Sequence, residues 1–386
     1  MKKMLKRALA VMVVVVLTLT MTACGAAKYT ANNTEYVIGV SGPLTGPAAV
    51  YGVAVKNSAQ MAIDEINAAG GLNGVNFKFI ALDDQHDATK VAANYASLLE
   101  GGMQASLGTV TTAPGLEFSN LSVEDNVFFL TPSASGDDIP KNENGFQMCF
   151  ADGNQGKVAA EYVKTLGLNS IGVFYKSDDP YSNGIYEQFK ENLKGSDISV
   201  VETVFTGDAS DFSTQISSLK ECKFIFMPIY YQPAAIFMTQ AKDTIAADAV
   251  YYGCDGFDGL ASILDLSTIP QSVTMLSHFD SKAESGPAKE FVDKYVAAYG
   301  EDTLNQFGAS AYDCVYALYG AMKKAMDEGT KIPVTISASD MCEILKAQFA
   351  NGYTISNAVT GESISWEASG YVNKTAIQYV IKDVNA

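Results

Sequence analysis

The sequence predicts an α/β protein made of two doubly wound lobes of parallel sheet. Three observations lead there. Short apolar runs alternate with helical patterns along most of the chain, an order that places parallel strands between two layers of helices. The rhythm completes one series by Leu130 and starts again at Ser170. The chain has 386 residues, 48% of them apolar and 10% aromatic. That is long enough for two full cores and too apolar for disorder.

The first strand spans 36–40. Val55, Ala59, Ala62, Ile63 and Ile66 then share one face of a helix over 53–69, which Gly70-Gly71 stops. A strand at 77–82 and a helix over 88–100 follow, the latter ended by Gly101-Gly102. A strand at 105–107, a helix after Pro114 and a strand at 127–130 complete the series. The second series has strands at 170–175, 200–205, 224–227, 249–252 and 273–277. Its helices span 181–194, 212–220 and 233–241. Longer helical patterns then dominate, over 287–299, 308–328 and 339–349.

The N-terminus differs from all this. Lys2, Lys3, Lys6 and Arg7 precede an apolar run over 8–17, and small or apolar residues lead to Cys24. About 20 apolar residues are needed to span a bilayer core, so the run fits a signal peptide over 1–23. The ending Met21-Thr22-Ala23-Cys24-Gly25 resembles a bacterial lipobox, which implies lipidation of Cys24; the alternative is an ordinary secretory signal. Residues 24–34 suit a flexible tether, and no later segment is long and apolar enough to cross a membrane. The expected location is the extracytoplasmic face of the cell membrane, held by lipid.

Charge and chemistry exclude several functions. Removing 1–23 takes away four basic and no acidic residues, leaving 22 basic and 43 acidic side chains, a net −21. Such a surface repels nucleic acid. Two histidines, His86 and His278, leave little for histidine catalysis or a multi-histidine metal site. There is no Walker loop and no G-x-S-x-G elbow. Gly153 to Lys157 is too short to cradle phosphate and suits a helix start. Ser217-Ser218-Leu219-Lys220 matches S-x-x-K but falls on an amphipathic helix without helper motifs. Asp83-Asp84-Gln85-His86-Asp87 has ligand-type residues, yet its place between strand and helix suits capping carboxylates. No enzyme activity, metal or cofactor is expected. Cys149, Cys222, Cys254, Cys314 and Cys342 lie mostly in apolar segments without C-x-x-C, so they are expected as small buried hydrophobes.

In doubly wound sheets ligands bind beyond the carboxyl ends of the strands. Three loops there suit a small zwitterion. Gly108-Thr109-Val110-Thr111-Thr112-Ala113-Pro114 brings hydroxyls and free N–H groups to a helix start, where a carboxylate is held well. Thr131-Pro132-Ser133-Ala134-Ser135-Gly136 is again rich in hydroxyls. Gly253-Cys254-Asp255-Gly256 places an acid between glycines, suited to an ammonium.

With these loops, Ser41-Gly42-Pro43-Leu44-Thr45-Gly46, Tyr51-Gly52 and Asp64-Glu65-Ile66-Asn67-Ala68-Ala69-Gly70-Gly71 resemble the leucine/isoleucine/valine-binding proteins of bacterial ABC importers. The resemblance covers essentially the whole mature chain. It implies the type I periplasmic-binding-protein fold, two lobes joined by a three-segment hinge, with one lobe at 35–150 plus 281–372 and the other at 151–280 plus 373–386. It implies that Thr112 holds the ligand carboxylate and that Ser133 contributes a backbone contact. Ser135, a threonine in most of the family, would supply a hydroxyl and an N–H. Asp255, where glutamate is common, would pair with the α-ammonium. Tyr51, Tyr181 and Tyr231 match aromatics that close over the ligand, and Phe307 matches one lining the side-chain pocket. The implied partners are an amino acid and the permease and ATPase of an importer, with the binding protein itself a monomer. Two rivals remain: the same fold holding an amide or small carboxylate, and an anchored sensory ectodomain.

Overall fold

A computed structural model describes residues 33–384. The predicted signal segment, Cys24 and the tether up to residue 32 lie outside them. Two sheets organise the chain. The first holds β1 (Tyr36–Gly42), β2 (Phe77–Asp83), β3 (Ala105–Ser106), β4 (Phe129–Thr131) and β5 (Gly145–Gln147), all parallel, in the order β2-β1-β3-β4-β5. Its connecting helices are α1 (Ala49–Ala68), α2 (Val91–Glu100) and α3 (Thr112–Asp125). All seven residues of β1 are buried, as expected for a strand covered on both faces.

After α4 (Asp152–Thr165) the second sheet begins with β6 (Ser170–Lys176), α5 (Pro180–Leu193), β7 (Ser199–Phe205) and α6 (Ser213–Leu219). It continues through β8 (Phe224–Met227), α7 (Tyr231–Ala241), β9 (Val250–Gly253) and β10 (Ser272–Ser277). Helices α8 (Gly286–Tyr299), α9 (Gln306–Asp327) and α10 (Ala338–Ala350) follow, with α9 packed along α1 and α10 against β3. A hairpin of β11 (Thr354–Ala358) and β12 (Gly361–Ser365) precedes β13 (Ile377–Lys382). The second sheet runs β13-β10-β9-β8-β6-β7, parallel except for β13, which pairs antiparallel with β10. The chain therefore passes between the two sheets three times: after β5, after β10 and before β13.

Aromatic packing fixes the layers. Phe349 of α10 lies 5.1 Å from Phe128, 5.2 Å from Phe146 and 4.7 Å from Trp366, docking α10 and the hairpin on the first sheet. Trp366 donates its indole N–H to Gln147 O (2.7 Å), and Gln147 N donates to Gly370 O (2.9 Å). This loop covers the edge of β5, which would otherwise offer unpaired backbone groups. In the second sheet Phe174 packs against Phe205, Phe212 and Phe237 at 5.0, 4.9 and 4.5 Å.

The strands and helices of both series appear where periodicity places them, within a few residues. Gly153 to Lys157 is a helix start, the first turns of α4. Ser217 and Lys220 are exposed at α6, a solvated face. The five described cysteines are buried and unpaired.

The loop between β1 and α1 has one steric requirement. A Cβ on Gly52 would sit 2.2 Å from Pro43 O, a backbone atom. Gly52→Ala must displace this loop or α1, and such overpacking costs typically ~1–3 kcal/mol. Urea denaturation of the variant is expected to show a loss of that size.

Candidate functional site

Each site residue is set by the start of an element. The carboxylate of Asp83, level with Gly42 across β1 and β2, accepts from Leu44 N (2.9 Å), Thr45 N (3.2 Å) and Thr45 Oγ1 (2.6 Å). Burial raises its pKa, but these bonds outweigh it and hold the group below the ordinary carboxylate value. The loop so tied delivers Tyr51 to the first turn of α1. Asp84 accepts from Ser41 Oγ (3.0 Å) and His86 N (2.9 Å), and Asp87 caps the next turn through Thr89 N (2.9 Å). The aspartates of this segment are loop anchors and caps. No His, Cys, Asp and Glu group suited to a metal occurs among the described residues.

Helix α3 begins at Thr112, with Thr111 at its N-cap. Neither hydroxyl caps the helix. Thr111 Oγ1 bonds to His86 Nδ1 (2.9 Å), and Thr112 Oγ1 is buried without a hydrogen-bond partner. The first N–H groups of the helix also lack intrahelical acceptors. Ser133 Oγ donates to Val110 O (2.7 Å), which locks the loop after β4 to the loop after β3. Ser135 accepts at its carbonyl from Asp152 N (2.8 Å).

The second sheet supplies the other wall. Asp179 caps α5 through Ser182 N (3.0 Å), with Pro180 at its first position, a pairing suited to a firm helix start. Tyr181 follows and donates its hydroxyl to Asp255 Oδ1 (2.6 Å). Gln155 of α4 donates from Nε2 to the same oxygen (3.0 Å) and accepts from Asp255 N at Oε1 (2.9 Å). Burial lifts the Asp255 carboxyl to about 6, against these bonds, which favour the charged form. Both bonded partners of its side chain are neutral.

Aromatic rings close the space between the walls. Tyr51 donates to Gly256 O (2.5 Å) across the cleft and meets Tyr231 and Phe307 edge-on at 5.0 and 4.7 Å. Phe307 is placed by Asn305, whose Oδ1 accepts from Phe307 N and Gly308 N at 3.0 Å each, and whose Nδ2 donates to Val50 O (3.1 Å). Tyr230 stacks on Tyr181 at 4.4 Å and meets His86 edge-on at 5.0 Å. Beside it opens a cavity of about 330 Å³, lined by Pro47, His86, Lys176, Asp208 and Tyr230 among others.

Tyr51, Tyr231 and Phe307 are in ring contact, Tyr51 and Tyr181 reach Gly256 and Asp255, and Ser135 meets Asp152 beside Asp255, while Thr112 and Ser133 stand where the loops after β3 and β4 end. None of the predicted site residues is more than 5% exposed, so anything they hold is shielded from water. Three residues in the same place went unassigned from the sequence: Gln155, Asp152 and Tyr230. Gln155 and Asp152 stand three apart on the first turn of α4, so they share a face. Tyr230 adjoins Tyr231 in the loop after Met227, where strand-end loops are expected to carry function.

Known proteins with similar sequences or folds have the following identities. Residues 35–341 match the periplasmic binding protein family. The Leu/Ile/Val-binding protein BraC3 of Rhizobium johnstonii is 28% identical over 348 residues, covering 88% of this chain and 94% of that protein. A leucine-, isoleucine-, valine-, threonine- and alanine-binding protein of Pseudomonas aeruginosa is 26% identical over 79% of this chain and 82% of its own length. Among solved structures, the isoleucine complex of the branched-chain amino acid transporter substrate-binding protein LivJ from Streptococcus pneumoniae aligns with a TM-score of 0.75 at 25% identity, covering 89% of this chain and all of that one. A benzoate complex of an ABC-transporter solute-binding protein from R. palustris shares the fold, with a TM-score of 0.77 at 17% identity over 90% of this chain and 93% of its own.

Proposed function

This chain belongs to the periplasmic binding protein family, a family of binding proteins rather than enzymes, and we propose that it captures an apolar amino acid for an ABC importer. The lobes are 35–150 plus 281–372 and 151–280 plus 373–386, and they close over the ligand. Thr112 Oγ1 and the first N–H groups of α3 hold the carboxylate. Asp255 pairs with the ammonium, Ser133 contributes a backbone contact to the ligand, and Ser135 contributes a hydroxyl and an N–H. Tyr51, Tyr181, Tyr231 and Phe307 enclose the side chain. A lipid on Cys24 keeps the protein beside the permease and ATPase that receive the ligand.

One observation carries this reading. A buried hydroxyl without a partner stands at the positive end of α3, and a buried acid whose side-chain partners are neutral stands beside the Tyr51, Tyr181 and Tyr231 cluster. An unmade bond at a buried polar group costs ~1–3 kcal/mol, and a zwitterion completes both ends at once. The Rhizobium relative is named for leucine, isoleucine and valine and the Pseudomonas relative for these with threonine and alanine, which supports an amino acid as the ligand class. A small carboxylate is the second reading, because the same fold in R. palustris holds benzoate; such a ligand would leave Asp255 unanswered.

Thr112→Val tests the carboxylate end. It keeps the shape and removes a hydrogen bond to a charged group, worth ~1.5–3 kcal/mol. L-Leucine affinity is expected to fall by about one to two orders of magnitude. The melting temperature of the unliganded protein should hold, because the lost hydroxyl had no partner. Unchanged affinity would remove Thr112 from the site.

A further inference from the structure

Asp152 opens α4 and is 1% exposed. Its Oδ2 is buried, and the Ser135 side chain hydrogen-bonds to the carboxylate, which favours its charged form against the burial. Its Oδ1 lies 3.4 Å from Gln155 Nε2, the nitrogen that also donates to Asp255 Oδ1 at 3.0 Å. Two buried carboxylates therefore hang on one amide nitrogen. Ser135 and Asp137, from the loop after β4, face Asp152 together with Asp179 before α5 and Asp255 after β9. Asp258, three residues after Asp255 and acted on by it, the hydroxyls of Tyr51, Tyr181 and Tyr230 and the thiols of Cys149 and Cys254 complete the surroundings. The cations in this neighbourhood are Lys176, which acts on Asp179, and Lys374, which acts on Cys149. Neither bonds to Asp152 or Asp255.

Two buried carboxylates that share one amide nitrogen, act on each other and have no cation bonded to either do not both ionise. We propose that Asp152 and Asp255 hold one proton between them while the cleft is empty, and that an entering ammonium expels this proton to solvent. The inference rests on the reading of the cleft as an amino-acid site and adds a residue and a linkage to it. Before binding, one carboxyl and one carboxylate carry a net charge of −1. The incoming ammonium keeps its own protons and lies between two carboxylates, and the displaced proton passes to the buffer. The charge of the site stays at −1, so the cleft exchanges one cation for another. Burial pushes the Asp152 carboxyl well above its ordinary value, followed by the effect of Asp255, in accord with a proton retained near neutral pH. The pair titrates as a unit. Because the empty form binds the extra proton, affinity rises with pH, by at most about tenfold per pH unit for one proton.

Two measurements test this on the mature chain. The first titrates L-leucine calorimetrically near neutral pH in two buffers of different ionisation enthalpy, such as phosphate and Tris. The heats are expected to differ by about one buffer protonation per leucine bound. In Asp152→Asn, which keeps the shape, leucine is still expected to bind while the difference vanishes. A purely structural Asp152 would leave the proton count untouched, and equal counts in both proteins, or none in wild type, overturn the proposal. The second needs no variant: infrared spectra of unliganded wild type should show the carbonyl band of a protonated buried carboxyl, and leucine should erase it. Absence of the band from the unliganded protein overturns the proposal whatever the variant does. If leucine gives no heat in wild type, leucine as the ligand is what has failed, and loss of the band from unliganded Asp152→Asn, or its persistence there, decides the shared proton.

Discussion

Asp255→Ala is expected to weaken L-leucine at least about thirtyfold. In the proposed complex the ammonium and its acid are shielded from water, and truncating one partner leaves the other charge buried and unanswered. Such truncations cost ~2–5 kcal/mol, and each ~1.4 kcal/mol is about tenfold in affinity. The geometry adds a second loss, because Asp255 Oδ1 is the acceptor for both Tyr181 and Gln155. Their donors would be left facing an apolar methyl. Asp255→Asn keeps the volume and an acceptor but removes the charge, and should be nearly as harmful. The des-amino analogue 4-methylpentanoate should bind wild type poorly and suffer far less from either change. Titrating both ligands against the three proteins gives the coupling between acid and ammonium directly. Equal losses for the two ligands would make Asp255 a structural loop residue and favour the carboxylate reading.

Cys24→Ser is expected to release the protein from membranes almost completely. No described helix is long and apolar enough to cross a bilayer, so the lipid is the only attachment this account gives the mature chain. Stable anchoring requires more than one acyl chain, because a single chain binds reversibly with an association constant of ~10⁴ M⁻¹. Serine has no thiol to take the lipid, so the loss is of the whole anchor. Fractionation of cells expressing either form, with the protein followed by immunoblot, measures it. A variant that stays with the membrane to the wild-type extent would remove the lipobox reading.

The parts of the fold legible in the sequence share a physical cause. Strands β1, β6 and β8 are apolar runs, buried over most or all of their length, and α1 buries the same Val55, Ala59, Ala62, Ile63 and Ile66 that set its periodicity. The strands that escaped are of another kind. β5 has three residues inside Asn-Gly-Phe-Gln and is defined by its neighbour β4 and by the Trp366 loop across it. β11 and β12 are short and rich in Ser, Thr and Asn, without alternation, and are held by pairing with each other. β13 is a half-exposed edge strand whose antiparallel partner lies a hundred residues earlier in the chain. Tertiary context decides all four, and a local pattern does not carry it.

The site follows the same division. Thr112, Ser133, Ser135 and Asp255 stand in loops at strand ends, where composition alone draws attention. Gln155 and Asp152 do not, because the strand that leads into their helix is β5. What the sequence leaves unstated is orientation: that Thr111 turns to His86 while Thr112 stays unpartnered, or that one amide nitrogen serves two acids. Such facts depend on how neighbouring strand-end loops and helix starts pack within each lobe.

We propose that an amino acid, bound at both its charged ends, fills this cleft. Thermal denaturation of the mature chain in the presence of each standard amino acid, with 4-methylpentanoate and benzoate alongside, tests it most directly. A ligand at one hundred times its dissociation constant adds ~2.7 kcal/mol to stability, which moves a melting transition measurably. An apolar amino acid such as leucine, isoleucine or valine is expected to raise the melting temperature, while the two acids without an ammonium leave it unchanged. A shift with benzoate or 4-methylpentanoate and none with any amino acid would contradict the account.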